Sequence, residues 1–442
     1  MLNVEVLDIY LSSRLIGRLF RFDNQTASPI IRFVAEDDFA TDPQQGTVSI
    51  SMRALDPLQQ ASLWKDISAP LFNGVDGRLP NFFQNMLPEG VFRIQLAQER
   101  GCSVDDHFAL FAACGLDLPG AIKALPAHLS RDELARLVTQ DHDALEMSVT
   151  ADPLPLGVSI SGMQPKVGLI ESGGRYVARK RDGVTRIIGK LPQMDRPRLP
   201  EVEHLSLLMA SAAGANVCDH KLVSLEKLDF DHGYTLGESS NFLAVTRFDR
   251  QGAKRIHCED FAQALDVAPL KKYTGASYAA VGALMMRFQD TLGLTAVHEL
   301  IRLITINELL GNFDGHLKNF CLLYEDNRSP VLSKAFDIVA WSAYFGGSGN
   351  ALALYRDTQK ASGTLPRNSL SPASLREFCN RVGVAEQPCA KIIKQTSALA
   401  YALWPALIEQ SNLLDVQKIR VLNHLSSHPF AHHYSRTAKA SR

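Results

Sequence analysis

The 442-residue sequence carries no surplus of charge of either sign: 46 Lys and Arg stand against 47 Asp and Glu, a formal net charge of −1. A dedicated nucleic-acid binder is usually basic, so direct DNA or RNA binding is not expected. Its seven cysteines (Cys102, Cys114, Cys218, Cys258, Cys321, Cys379, Cys389) are odd in number, scattered and never in C-x-x-C spacing. That excludes a disulfide framework and a zinc ribbon, and it fits reduced thiols in a cytoplasm. No apolar run reaches the roughly 18 residues a membrane span needs. The opening Met1-Leu2-Asn3-Val4-Glu5 lacks the basic and apolar regions of a signal peptide. The expectation is a cytoplasmic protein with no membrane partner.

What is present is ordinary globular material, 46% hydrophobic and 21% charged, long enough for two or three domains or one two-lobed fold. The basic triplets at 179–181 and 196–198 read as solvated loop charge, and the histidines of the last residues as a solvated tail. The chain opens with β patterning: Val4, Val6, Ile9 and Leu11, a turn at Ser12-Ser13-Arg14, then Leu15, Ile16, Leu19 and Phe20. Further strands are predicted over 30–34 and over 48–52, where Val-Ser-Ile-Ser-Met alternates. Helices are predicted through Phe92, Ile94 and Leu96 and over 108–113, and a boundary is set near Pro155 after a polar, acidic stretch. Strands return over 167–170, 176–178, 186–191, 222–225 and 241–248, with one amphipathic helix over 201–213. Beyond Arg250 the chain turns helical, most clearly over 294–310, where Val297, Leu300, Ile301, Ile304 and Leu309 form one stripe.

The strongest chemical signal follows that helix directly: Gly311-Asn312-Phe313-Asp314-Gly315-His316-Leu317-Lys318-Asn319-Phe320. Phosphoryl transfer needs a carboxylate to orient and deprotonate the attacking hydroxyl and an oxygen ligand for a metal, and protein kinases place that Asp and Asn five positions apart. Asp314 and Asn319 have this spacing, and Phe336-Asp337-Ile338 then sets one carboxylate inside an apolar run, as a metal aspartate would be. Singly, each has a plain structural reading: a common Asp-Gly turn, or Asp337 capping a helix from Ile338. Their order after a β-rich region favours a kinase. Upstream, Ser159-Ile160-Ser161-Gly162-Met163-Gln164-Pro165-Lys166 is a small-residue turn able to lay N–H groups on phosphate, or simply a surface hairpin. Lys190, in the apolar Ile187-Ile188-Gly189-Lys190-Leu191, is a candidate phosphate lysine or an edge-strand charge. Residues 241–250 join the two regions where kinases hold adenine, though Arg247, Asp249 and Arg250 also read as a surface ion-pair network.

Together these segments resemble the HipA family of toxin–antitoxin kinases, from about Leu15 to beyond Ala340. Residues 159–166 are similar to its S-x-x-G-x-Q-x-K loop, 311–320 to its D-G-H-x-K-N catalytic loop, 336–338 to its Y-D-I segment and 247–250 to its R-F-D-R hinge. Phe82-Phe83-Gln84-Asn85-Met86-Leu87-Pro88 and 108–120 resemble the small domain preceding the kinase core. The resemblance implies ATP and Mg²⁺ as cofactors and Asp314 as catalytic base, with Asn319 and Asp337 as metal ligands. ATP would be bound by Ser161, Gly162, Met163, Gln164, Pro165, Lys166, Lys190, Thr246, Arg247, Phe248, His316, Leu317, Lys318, Asn319, Phe336 and Asp337. It further implies autophosphorylation on Ser159 or Ser161, and a helix-turn-helix antitoxin of the HipB type through which DNA is reached indirectly. A protein serine or threonine would be the acceptor, with an aminoacyl-tRNA synthetase among the targets. This chain departs at Gly189, where an apolar residue is usual, at Thr246, where some members have glutamate, and at Phe336, which replaces tyrosine.

The expected fold is α+β and protein-kinase-like, two-lobed, with an N-terminal β-rich subdomain and a mostly helical C-terminal lobe. The expected divisions are 1–125 (β-rich subdomain with helices), 126–155 (linker), 156–248 (N-lobe), 249–432 (helical C-lobe) and 433–442 (disordered tail). Two other functions remain open on sequence: a small-molecule phosphotransferase, because the same Asp and Asn serve any alcohol, and a non-catalytic corepressor that binds an antitoxin.

Overall fold

The computed structural model describes residues 2–23, 28–130, 133, 145–147, 150–154, 157–160, 164–178, 184–356 and 369–429. The chain divides into two compact units. One takes Met1–Ile188, Asp249–Pro269 and Leu323–Ser329; the other takes Gly189–Phe248, Leu270–Leu322 and Pro330–Arg442.

In the first unit, β1 (Leu2–Leu11) and β2 (Arg14–Asp23) form a hairpin, and β3 (Ile30–Ala35) pairs with β2. After α1 (Gly90–Arg100) and α2 (His107–Ala113), β4 (Ile122–Pro126) pairs antiparallel and β5 (Leu145–Met147) parallel with β1. The two-residue period of β1 explains how both sheet faces are covered. Leu7, Ile9 and Leu11 enter the main core with Phe33, Trp64, Phe72, Phe83 and Phe111, while Val4 and Val6 join Phe20 and Ala127 in a smaller cluster. Phe33 anchors the main core, its ring centroid 5.3 Å from Phe83, 5.9 Å from Phe72 and 6.1 Å from Trp64. A further hairpin joins β6 (Lys166–Ser172) to β7 (Arg175–Ala178).

The predicted strand over 48–52 is not one: Ile50–Met52 is a 3-10 turn. Ser49 Oγ accepts from Ser51 N, and the Glu259 carboxylate accepts the Ile50 N–H at 2.9 Å, so the backbone donors are already taken. Glu259 also accepts from Ser49 Oγ (2.5 Å) and from the Tyr324 hydroxyl. His257 stacks on Tyr324 and places Nε2 2.8 Å from the Val48 carbonyl. Burial pushes Glu259 up to about 7 despite these donors, and pushes His257 down to about 4.

Asp249 and Arg250 do not form a surface ion-pair network. The Arg250 side chain is fully buried, bonded to Asp117 at 2.9 Å and Asp249 at 2.7 Å, and it donates to the Gly120 and Leu118 carbonyls. Arg255 donates to the carbonyls of Leu116, Leu118, Gly120 and Ile122. Two arginines thereby satisfy a buried loop that has no ladder of its own.

The second unit begins at Gly189, within β8 (Ile187–Lys190), and continues with α3 (Leu199–Ala212), β9 (His220–Ser224) and β10 (Asn241–Thr246), in strand order β8-β10-β9. Its helices are α4 (Tyr278–Met286), α5 (Gly293–Leu310), α6 (Pro372–Val382), α7 (Glu386–Glu409) and α8 (Asp415–Ser427). The predicted stripe of α5 is buried: Val297, Leu300, Ile301, Ile304 and Leu309 are all 0% exposed. Trp404 of α7 donates from its indole to the Met209 carbonyl of α3 at 2.7 Å. Among the described residues no helix is long and apolar enough to cross a membrane, and the tail over 433–442 lies outside them.

The Glu259 cluster generates a pH prediction. An unfolded glutamate titrates near 4.5, so stability tied to Glu259 is full below that and lost as pH rises through about 7. Glu259→Gln keeps an acceptor for Ile50 and Tyr324 and a donor for Ser49, but has no proton to lose. Thermal melts between about pH 5 and pH 8 should show the wild type falling relative to the variant; parallel curves would refute this.

Candidate active site

The site is built in the second unit, where α5 ends. Gly311 terminates the helix in the left-handed conformation (φ 66°), and its N–H bonds back to Glu308. Asn307, in the last turn and 3% exposed, then organises the loop. Its carbonyl accepts from Asn312 N at 2.7 Å and its Oδ1 from Asn312 Nδ2 at 2.9 Å. Asn312 Oδ1 in turn accepts from Asp314 N at 3.2 Å. A Cβ at Gly315 would stand 2.7 Å from Asn307 Nδ2, so only glycine lets the loop pass this close. The Gly315 carbonyl accepts from the Tyr278 hydroxyl at 2.8 Å.

Asp314 and Asn319 are joined through the main chain: Asn319 Nδ2 donates to the Asp314 carbonyl at 2.7 Å. With its nitrogen so engaged, the Asn319 amide is left with its oxygen to meet a cation. Asn319, Asn307, Asn312, Phe336 and Asp337 line one cavity with Phe320 and Ile338. No helix starts at Ile338, so Asp337 is not a cap. It sits at φ 56°, a left-handed conformation that is uncommon for non-glycine residues but that Asp adopts more readily than most.

Lys190 reaches Asp337 from β8. Its side chain is 6% exposed and forms ion pairs with Asp337 at 2.5 Å and with Glu203 of α3, which is fully buried. Burial alone would pull the ammonium pKa down, but Asp337 and Glu203 outweigh it and hold it above the ordinary lysine value. With Gly189 before it, Lys190 still brings its ammonium to the Asp337 carboxylate.

Within the loop, His316 (5% exposed), Leu317 (0%) and Lys318 (4%) are buried. Thr246 is exposed at the end of β10, its N–H bonded to the Asp219 carbonyl. Arg247 is buried, and Phe248 packs on Phe336 with centroids 5.3 Å apart. The loop residues Gln164, Pro165 and Lys166 belong to the first unit, with Lys166 5% exposed at the start of β6. Ser159, also there, is 3% exposed; its hydroxyl donates to the Met86 carbonyl and its N–H to the Asp117 carbonyl. Ser161, Gly162 and Met163 lie outside the described residues.

Sequence reasoning missed Glu203, Asn307 and Tyr273, whose hydroxyl donates to Asp314 Oδ1. A signal existed for Glu203, a carboxylate on a largely apolar helix; Tyr273 had none, because a turn remote in sequence supplies it. Among the described residues no cluster of three or more His, Cys, Asp or Glu is arranged for a metal. One carboxylate and one amide oxygen nevertheless fit Mg²⁺, which takes few protein ligands and completes its shell with phosphate and water.

Residues 158–404 match the family described as the HipA-like C-terminal domain, and residues 7–125 the HipA N-terminal domain. A provisionally named kinase of Sinorhizobium fredii, Y4dM, is 30% identical over 424 residues, covering 94% of this chain and 95% of its own. The serine/threonine-protein kinase toxin HipA of Shewanella oneidensis is 25% identical over 274 residues, 56% of this chain and 60% of that protein. The solved complex of Shewanella oneidensis HipA, HipB and operator DNA aligns with a TM-score of 0.67 at 20% identity, covering 97% of this chain and 99% of that one, a likeness of fold. With both domains matched in order and a relative aligned along nearly its whole length, the chain belongs to the HipA family of kinase toxins and has its α+β, kinase-like fold.

Proposed function

We propose that the protein is an ATP-dependent serine/threonine protein kinase, the toxin of a toxin–antitoxin pair, acting in the cytoplasm. The observation that carries this is the convergence of Asn319 and Asp337 on one cavity, with Lys190 and Glu203 paired behind Asp337. Protein kinases require this set: a strand lysine paired to a helix glutamate, a loop Asp and Asn, and a metal aspartate.

In this reading Asp314 accepts the proton of the acceptor hydroxyl as its oxygen bonds to the γ-phosphorus and ADP leaves. Lys190 binds the ATP phosphates, and Glu203 keeps it oriented and charged. Asn319 Oδ1 and the Asp337 carboxylate would hold Mg²⁺, which when bound neutralises phosphate charge. The backbone of 246–248 would hold adenine, and 161–166 would cover the phosphates. The acceptor is a protein serine or threonine, with an aminoacyl-tRNA synthetase as the target class that the family suggests. The likeness to a HipA, HipB and operator DNA complex supports a HipB-like antitoxin as partner; that this antitoxin carries a helix-turn-helix and is the route to DNA is part of the same proposal, in keeping with the net charge of −1.

Autophosphorylation on Ser159 or Ser161 belongs to the same proposal. Ser159 must first leave Met86, and a phosphate of about −1.5 to −2 charges could not return to so buried a position. Phosphorylation would therefore fix the loop in its released form and turn the kinase off.

Three outcomes are expected. Asp314→Asn should lower phosphoryl transfer by ~10²–10⁴ while nucleotide still binds, as radiolabelled transfer and calorimetry would read; normal turnover would refute the base. Lys190→Ala should raise KM for ATP or lower kcat, and it should also destabilise the fold by ~3 kcal/mol or more because the buried Glu203 carboxylate loses its lysine counter-charge. Adding Glu203→Gln should restore the melting temperature but not the activity. Mass spectrometry after incubation with Mg-ATP should find phosphate on Ser159 or Ser161 in wild type and not in Asp314→Asn; equal phosphate in both would assign it to another kinase.

A further inference from the structure

The turn over 271–275 reaches the catalytic loop by three separate contacts. Leu317 N donates to the Lys272 carbonyl at 3.3 Å, the Tyr273 ring meets His316 edge-on with centroids 4.8 Å apart, and the Tyr273 hydroxyl donates to Asp314 Oδ1. The third contact is the one that matters for chemistry. A hydroxyl donating to the carboxylate of the base is the arrangement an acceptor serine or threonine must adopt before transfer. Tyr273 is 41% exposed and the Asp314 side chain 40% exposed, so this hydrogen bond lies within reach of a protein arriving from solvent.

The main chain of Asp314 is positioned without this bond. Its N–H is already held by Asn312, and its carbonyl by Asn319 and His316. The phenol adds nothing to that main-chain framework; it takes up Oδ1 of the carboxylate, the oxygen that also stands 3.8 Å from His316 Nε2. We propose that Tyr273 is a specificity-determining residue: it fills an acceptor-hydroxyl position at Asp314 Oδ1 and competes with water for that oxygen until a protein substrate displaces it. This rests on Asp314 being the base. A tethered phenol has an effective concentration that bulk water does not overcome, whereas a protein acceptor brings binding energy from outside the site. The same device sets the enzyme against small alcohols, which bring little.

The suppressed side reaction is ATP hydrolysis. A water oxygen bonds to the γ-phosphorus, the bond from that phosphorus to the ADP oxygen breaks, and the water proton passes to Asp314. Tyr273→Phe keeps the ring on His316 and removes only the hydroxyl. The full-length protein with Mg-ATP and no added protein substrate is the assay. Losing a hydrogen bond to a charged group should raise kcat for hydrolysis by about fivefold or more, with KM for ATP unchanged. Tyr273→Leu, which also lacks the hydroxyl, should show the same gain and guards against a folding defect peculiar to one variant, checked by thermal unfolding. Unchanged or lower hydrolysis in both folded variants overturns the proposal, as does a gain that tracks a changed KM. The double variant Tyr273→Phe, Asp314→Asn separates the two readings. If the gain vanishes in it, both stand. If the gain persists in it, hydrolysis does not pass through Asp314 and the proposal falls, while the base assignment is judged separately by protein transfer in Asp314→Asn.

Discussion

Lys190 carries its ammonium to a place where only 6% of the side chain meets water, and two carboxylates from distant parts of the second unit meet it there. An unpaired charge so placed would lose its proton or unfold its surroundings. The constraint fixes three elements at once: β8 must present the lysine, α3 must turn Glu203 inward, and the segment after Ala335 must bring Asp337 back against both. Asp337 is the more exposed of the two acids, 24% against 0%. Glu203 therefore acts as the permanent counter-ion, and Asp337 as the one with a face left for the cavity.

The loop over 311–319 obeys a different rule, that of buried backbone groups needing partners. It has no ladder, so Asn307, Asn312 and Asn319 supply side-chain amides in its place. Amides suit this role because each offers a donor and an acceptor without adding charge beside Asp314. The glycines at 311 and 315 follow from the same crowding, the first by its left-handed φ and the second by the closeness of Asn307.

In the first unit the equivalent burden falls on arginine. Arg250 and Arg255 take up the carbonyls of residues 116–122, with Asp117 and Asp249 as buried counter-charges. The R-F-D-R segment is thus split in purpose: its first half lies in the second unit, where Phe248 packs on Phe336, and its second half is a structural brace in the first.

Local pattern was enough for the long α5 helix, whose 3.6-residue stripe needs nothing but burial of one face, and for β1 to β3, whose alternation is a two-residue property. The five-residue step from Asp314 to Asn319 was equally legible, because both lie on one short loop. Other features depend on groups that the chain brings from afar. The alternating 48–52 stretch looks like a strand, yet it is a 3-10 turn because Glu259, 209 residues away from Ile50, takes that N–H. Glu203 as the lysine's partner and Tyr273 as the hydroxyl on Asp314, 41 residues from it, are likewise products of folding. Sequence determines what a residue can do with its neighbours in the chain; only the tertiary structure decides which distant charge or donor is desolvated beside it.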